Sequence, residues 1–209
     1  MKKDKINKKV FITGVSGQDG SLLAEFLISK GYQVWGLIRE TSSKENLSDI
    51  LDNKNFHLIY GDLLNNDLIC FLLKTYKFDE IYNLASQSNI RLSNKNPLLT
   101  FNVVLMGTLV LLENIKKYSP HSKIFQASSS SMFGSAVDED GFQRETTPFL
   151  PNSPYASAKL FAHNICSNYR ENYNLFVSTG ILYNHESLKT KAILGVISTI
   201  VKKAVDIKN

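Results

Sequence analysis

Short apolar runs alternate with longer stretches of helical period along the 209-residue chain. Lys9-Val10-Phe11-Ile12-Thr13 has the continuous apolar character of a strand buried on both faces. Glycines follow, and then a helix-period stretch over residues 21–30 that Gly31 is placed to end. Residues 32–38, 56–60, 80–84, 123–127 and 175–182 read as five further strands, with helices expected at 66–77, 97–118 and 154–173. Strand and helix in this alternation predict an α/β fold, a doubly wound parallel sheet of Rossmann type covered on both faces. The prolines Pro148, Pro151 and Pro154 mark an ordered connection between the fifth strand and its helix.

Thr13-Gly14-Val15-Ser16-Gly17-Gln18-Asp19-Gly20 joins the first strand to the first helix, with the spacing G-x-x-G-x-x-G. Glycines there let the backbone turn tightly and approach a pyrophosphate, which sits at the partly positive amino end of the helix. The end of the second strand bears on which dinucleotide is bound. Arg39 suits the 2′-phosphate of NADP, whereas the adjacent Glu40 would repel it if it faced inward. Two more segments are candidate cofactor walls. Asp62 and Leu63 follow the third strand, where a carboxylate can meet an adenine amino group. Asn83-Leu84-Ala85-Ser86-Gln87-Ser88 leaves the fourth strand with small residues that allow a ribose or nicotinamide to lie close.

Of nine tyrosines only Tyr155 has a lysine four places on, Lys159. Ser153 can cap that helix and Pro154 suits its first turn, so both side chains share one face. An ammonium beside a phenol favours the phenolate and lowers its pKa from ~10. The phenolate can then take a proton from a sugar hydroxyl as hydride leaves its carbon. Upstream, Ser128-Ser129-Ser130-Ser131 ends the fifth strand, where a hydroxyl can hold the reacting oxygen.

These segments together resemble an extended short-chain dehydrogenase/reductase, and more narrowly the GDP-mannose 4,6-dehydratase family. The stretches that carry the resemblance are ITGVSGQDGSLLAEFLISKGYQV, IYNLASQS, FQASSSSMFG, ETTPFLPNSPYASAKLFA and GILYNHES. The resemblance implies a redox-neutral lyase in which NADP+ takes hydride from C4 of GDP-mannose. The C5 proton then leaves with the C6 hydroxyl, and the hydride returns to C6. It places Ser129 as the catalytic hydroxyl residue and Tyr155 as proton acceptor. Lys159 would bind the nicotinamide ribose, His185 would contact NADP, and Asn184 would lie near the nucleotide-sugar. It also places a glutamate, the group that works on C5 and C6, where this chain has Ser131. A serine hydroxyl is far too weak a base for that proton, and losing a positioned acid/base costs ~100- to 10,000-fold.

The family pattern is read as far as Ser187; after it the family's arginine-bearing segment becomes Leu188-Lys189-Thr190-Lys191. The expected organisation is a basic tail at 1–8, an NADP-binding domain at 9–187 and a divergent, helical tail at 188–209. Most of the family's smaller, substrate-holding C-terminal domain is expected to be missing. Three functional readings stay open: a dehydratase, an epimerase or ketoreductase of the same superfamily, and a non-catalytic NADP-binding remnant.

Composition adds limits. Lys and Arg number 24 against 19 Asp and Glu, a net charge of +5 that suits an anionic nucleotide as well as any polyanion. The basic residues show no aromatic-interleaved patch in the sequence, so no nucleic-acid partner is expected. Apolar runs fall short of the ~18–20 residues of a membrane span, and none is expected. The lysine-rich amino end is read as a solvated tail, not a targeting sequence. The cysteines, Cys70 and Cys166, lie far apart, and the four histidines show no ligand spacing. A reduced, cytoplasmic setting without a metal is expected, with Cys166 a core residue. Pairing through the helices that hold Met106 and Tyr155, into a homodimer or homotetramer, follows from fold-level analogy alone.

Overall fold

Lys9–Thr13 (β1), Gln33–Ile38 (β2), Phe56–Tyr60 (β3), Glu80–Asn83 (β4), Lys123–Ser129 (β5) and Val177–Leu182 (β6) form one sheet in the computed structural model of the chain. The structure describes residues 8–187, 189, 200–201 and 203–205. All pairings are parallel and the order is β3-β2-β1-β4-β5-β6, the doubly wound Rossmann arrangement. Among the described residues it is accompanied by the helices Gln18–Ser29 (α1), Asn66–Tyr76 (α2), Ile90–Lys95 (α3), Pro97–Phe101 (α4), Gly107–Tyr118 (α5) and Pro154–Tyr173 (α6).

Period-two alternation within each buried strand builds two separate cores. Phe11 of β1 and Trp35 and Leu37 of β2 pack on one face with Leu72, Leu111, Ile115 and Cys166 from α2, α5 and α6. Val10, Ile12, Val34 and Ile38 face the other way onto Ala24 and Leu27 of α1. Fully burying each of these large side chains contributes about 1.5–3 kcal/mol. Cys166 belongs to the first core, and burial pushes its thiol up to about 12.

The structure corrects the element boundaries in several places. α1 begins at Gln18, three residues before the apolar periodicity starts, because Gly17 already serves as its cap. The sequence pattern does not predict α3. It is a single short segment started by the Asn89 side chain accepting from the Leu92 N–H, and Asn96 repeats the device for α4. From Pro97 to Tyr118 the helix is continuous, with a wider π-helical turn at Asn102–Met106. By length and composition this 22-residue helix passes for a membrane span, contrary to the sequence reading. Its Leu111, Leu112 and Ile115 are buried against the sheet, so it serves as a core helix of the domain. The proposed basic tail lies outside the described residues except for Lys8, which pairs with Glu80. Most of the proposed tail at 188–209 lies outside them too.

Candidate active site

Three polar side chains at the carboxyl ends of adjacent strands set the floor of the site. Thr13, Asn83 and Gln126 stand side by side in the register of β1, β4 and β5, and all are buried. The Thr13 hydroxyl donates to Asn83 Oδ1 (2.5 Å), Asn83 Nδ2 donates to Gln126 Oε1 (2.7 Å), and Gln126 Nε2 donates to the Ala127 carbonyl (3.1 Å). The Ala85 N–H donates back to Thr13 Oγ1 (3.2 Å), which fixes the start of the segment leaving β4. A buried polar group needs such partners to offset its lost hydration, and a chain of them holds one geometry. The sequence reading placed these residues at the strand ends but gave none of the three a role of its own. The available signal was a polar residue at the same end of three apolar strands.

The row ends at Lys159. Its Nζ donates to the Ala127 carbonyl (2.9 Å), and the side chain is almost wholly buried on α6. Ser153 caps α6 by accepting from the Ala156 N–H. One turn before Lys159, the buried Tyr155 phenol faces the hydroxyls of Ser129 and Ser86. Ser129 also accepts from the Ser131 N–H (3.2 Å). Ser86 Oγ lies near the same phenol and is a buried hydroxyl that completes no hydrogen bond.

The expected electrostatics are reversed here. Lys159 Nζ is 5.8 Å from the centre of the Tyr155 ring and is turned toward Ala127, so the neighbouring ammonium does not lower the phenol. Burial raises the Tyr155 pKa above its ordinary value, and the two serine hydroxyls only partly offset it. Burial also brings Lys159 down to about 8, because an ammonium in an apolar site loses its hydration. That shift has a consequence for stability. Between pH 8 and 10.5 the unfolded chain keeps a proton that the folded chain has released, so stability rises with pH across that window. A Lys159→Met variant is expected to melt higher at pH 7, by an amount equivalent to as much as about 3 kcal/mol, and to lose that pH dependence. Thermal unfolding at pH 7, 8.5 and 10 checks it; equal slopes in the two proteins would refute it.

The phosphate turn is shaped by glycine where backbones touch. Gly14 has φ +69°, and a Cβ on it would meet the Ala85 backbone at 2.8 Å; a Cβ on Gly20 would meet the Gly14 carbonyl at 2.5 Å. No side chain caps α1, which leaves its amino end available to an anion. Val15 is buried against Gly36, and Asn46 Nδ2 donates to the Ser16 carbonyl (3.1 Å). From the far end of the sheet, the loop after β6 reaches this turn. His185 Nε2 meets Asp19 Oδ1 and its Nδ1 meets the Tyr183 carbonyl, both at 2.7 Å, and Gln18 Nε2 donates to the His185 carbonyl (3.3 Å). Both partners of the ring are acceptors, so two donated bonds require the imidazolium, and Asp19 raises the His185 pKa accordingly. An uncapped helix end and two glycine-tight contacts at the turn, with the unpartnered Ser86 hydroxyl beside Tyr155, together fit a dinucleotide lying from α1 towards Tyr155.

The other sequence candidates are distributed around this cleft. Arg39 and Glu40 are both exposed just past β2. Asp62 is exposed and its Oδ1 accepts from the Leu64 N–H (2.9 Å), which leaves Oδ2 able to accept another bond, while the Leu63 side chain is committed to the core against Gly107. Leu84, Ala85 and Gln87 are half-buried, Gln87 Oε1 accepting from Thr100, while Ser88 and Asn184 are exposed. Ser131, half-buried, sits in the turn Ser130–Phe133 that Ser129 caps. Asp138 is no substitute carboxylate: Thr147 donates to it (2.7 Å) and Arg144 pairs with it (2.9 Å), holding its carboxyl below the usual range. Glu145 is exposed.

Comparison with known proteins gives the family of the chain. The family model described as GDP-mannose 4,6 dehydratase matches residues 11–209. GDP-mannose 4,6-dehydratase of Vibrio cholerae is 46% identical over 191 residues, covering 87% of this chain and 51% of the relative. The Homo sapiens protein of that name is 43% identical over 188 residues, covering 84% and 50%. The chain spans about half the length of the curated relatives it matches. Among solved structures, dTDP-glucose 4,6-dehydratase from Bacillus anthracis in complex with NAD superposes with a TM-score of 0.84 at 26% identity, covering 95% of this chain and 61% of that one. UDP-glucose 4-epimerase of Thermus thermophilus in complex with NAD gives 0.72 at 28%, covering 82% and 53%. With a match over nearly all its residues, this chain belongs to the GDP-mannose 4,6-dehydratase family.

Proposed function

We propose that this chain binds NADP across the carboxyl ends of β1 and β4 and oxidises C4 of the hexose of GDP-mannose, the opening step of a 4,6-dehydration. The observation that carries this reading is the meeting of Tyr155 and Ser129 at the end of β5, beside the point where the strand order reverses. The names of the relatives support the substrate, and the solved neighbours with NAD support a nicotinamide cofactor. Arg39, exposed at the end of β2, supports the 2′-phosphate.

The nicotinamide, when bound, supplies a hydride acceptor. The protein's own part is proton management and orientation. Ser129 holds the C4 oxygen by a hydrogen bond, and the Tyr155 phenolate removes its proton. Lys159, fixed on the Ala127 carbonyl, presents its ammonium to the nicotinamide ribose. Gly14, Val15, Ser16, Gly17, Gln18, Asp19 and Gly20 line the pyrophosphate site. His185 lies next to it, and Asn184 is on the side of the nucleotide-sugar. The elimination across C5 and C6 needs a base, and Ser131 with the committed Asp138 favours a second reading in which chemistry stops at hydride transfer, as in an epimerase or ketoreductase.

Incubation of the chain with NADP+ and GDP-mannose tests the proposal. GDP-4-keto-6-deoxymannose is the expected product, formed slowly. A 4-epimer or reduced sugar alone moves the assignment to the second reading. A measurable NADP+ Kd with no product at all leaves a cofactor-binding remnant. Further parts of the proposal are a reduced, cytoplasmic compartment, which suits free Cys70 and buried Cys166, and pairing of two copies through the continuous 97–118 helix and α6, where Met106 and Phe161 are exposed.

A further inference from the structure

Residues 134–153 leave the site just after Ser129 and return to it at Tyr155, so this connection borders any sugar held between those two hydroxyls. Its middle is tied to itself. Arg144 pairs with Asp138 and Asp140, Thr147 bonds Asp138, and Gln143 Nε2 donates to the Ala136 carbonyl (2.9 Å). The side chain of Gln143 also reaches the loop after β6: the Tyr183 hydroxyl donates to Gln143 Oε1 (2.9 Å). Tyr183 follows β6 directly and its ring is exposed, so this bond is the main thing the hydroxyl supplies.

From Tyr183 the ties continue in series. Its carbonyl accepts from His185 Nδ1, His185 Nε2 meets Asp19 in the first turn of α1, and Gln18 holds the His185 carbonyl. A contiguous polar path thus runs from the sugar-facing connection to the turn that faces phosphate. We propose that Tyr183 is a positioning residue that couples nucleotide occupancy at the α1 turn to the order of residues 138–147. A phosphate seated on the amino end of α1 restrains Gln18 and Asp19, these hold His185, and His185 holds the backbone from which Tyr183 reaches Gln143. Cofactor binding therefore adds to the order that these bonds already give the wall. The inference rests on the cofactor reading given above.

Tyr183→Phe removes the donor and keeps the ring. Backbone hydrogen exchange read by mass spectrometry, with and without saturating NADP+, tests the coupling. In the unaltered chain, NADP+ is expected to slow exchange at 138–147. In the variant those amides should exchange about three- to tenfold faster, the scale of one net hydrogen bond, and should no longer respond to nucleotide. Gln143→Leu removes the acceptor and should give the same loss of response, with the double variant no worse than the stronger single one. An unchanged response in Tyr183→Phe overturns the proposal. If the unaltered chain binds no NADP+, the cofactor reading fails instead, and the nucleotide-free comparison remains decisive for Tyr183. Equal exchange at 138–147 in the two proteins then overturns its role.

Discussion

Replacement of Tyr155 by phenylalanine is expected to lower hydride transfer from GDP-mannose to NADP+ by ~100- to 10,000-fold, the usual loss when a positioned acid/base is removed. Little else should change. The ring is buried at the start of α6 and its packing survives the substitution, so the fold and the NADP+ Kd are expected to stay close to those of the parent. The measurement is NADPH absorbance in a single turnover with excess protein. The pH dependence carries a second signature. Burial raises the Tyr155 phenol and the Ser129 and Ser86 hydroxyls pull it part of the way back, so the reactive phenolate becomes more populated as pH rises. The rate should therefore climb through the alkaline range, and Ser129→Ala should push that limb still higher as one of the restraining hydroxyls is lost. A Tyr155→Phe protein that turned over at the parental rate would remove the residue from the chemistry.

Placing a carboxylate at position 131 is expected to act in the opposite direction. The family resemblance puts a glutamate there. Here Ser131 occupies a turn capped by Ser129, two positions beyond the hydroxyl that faces Tyr155. Removal of the C5 proton and departure of the C6 hydroxyl both ask for an acid/base that a serine hydroxyl cannot supply, and Asp138 is spent on Thr147 and Arg144. Ser131→Glu should raise formation of the 4-keto-6-deoxy product by ~100- to 10,000-fold while C4 oxidation, read as NADPH in the first turnover, changes little. Ser131→Gln matches the size without the charge and should give no gain. Should the Glu variant oxidise C4 yet form no more dehydrated product, Ser131 would not be what limits elimination.

Much of this molecule could be read in order along the chain. The six strands and the long helices followed from apolar runs and helical period, because burial on both faces of a parallel sheet favours near-continuous apolar runs. The glycine turn and the Tyr155–Lys159 spacing were legible for a similar reason, since each is a local constraint set within a few residues. What the sequence left open lies between residues far apart in the chain. The polar row Thr13, Asn83 and Gln126 exists only because parallel pairing sets three strand ends side by side. The reversal of the expected electrostatics also came from packing. Spacing alone put the Lys159 ammonium beside the Tyr155 phenol, whereas the fold turned it to the Ala127 carbonyl and buried both groups, so desolvation leads both shifts. The reach of the loop after β6 back to Asp19, across 166 positions, is likewise invisible in one dimension. Local sequence thus determined the elements and their chemistry, and tertiary structure decided which groups meet and in what dielectric. Hydrogen bonds and hydration act over a few ångströms of space, whatever the separation along the chain.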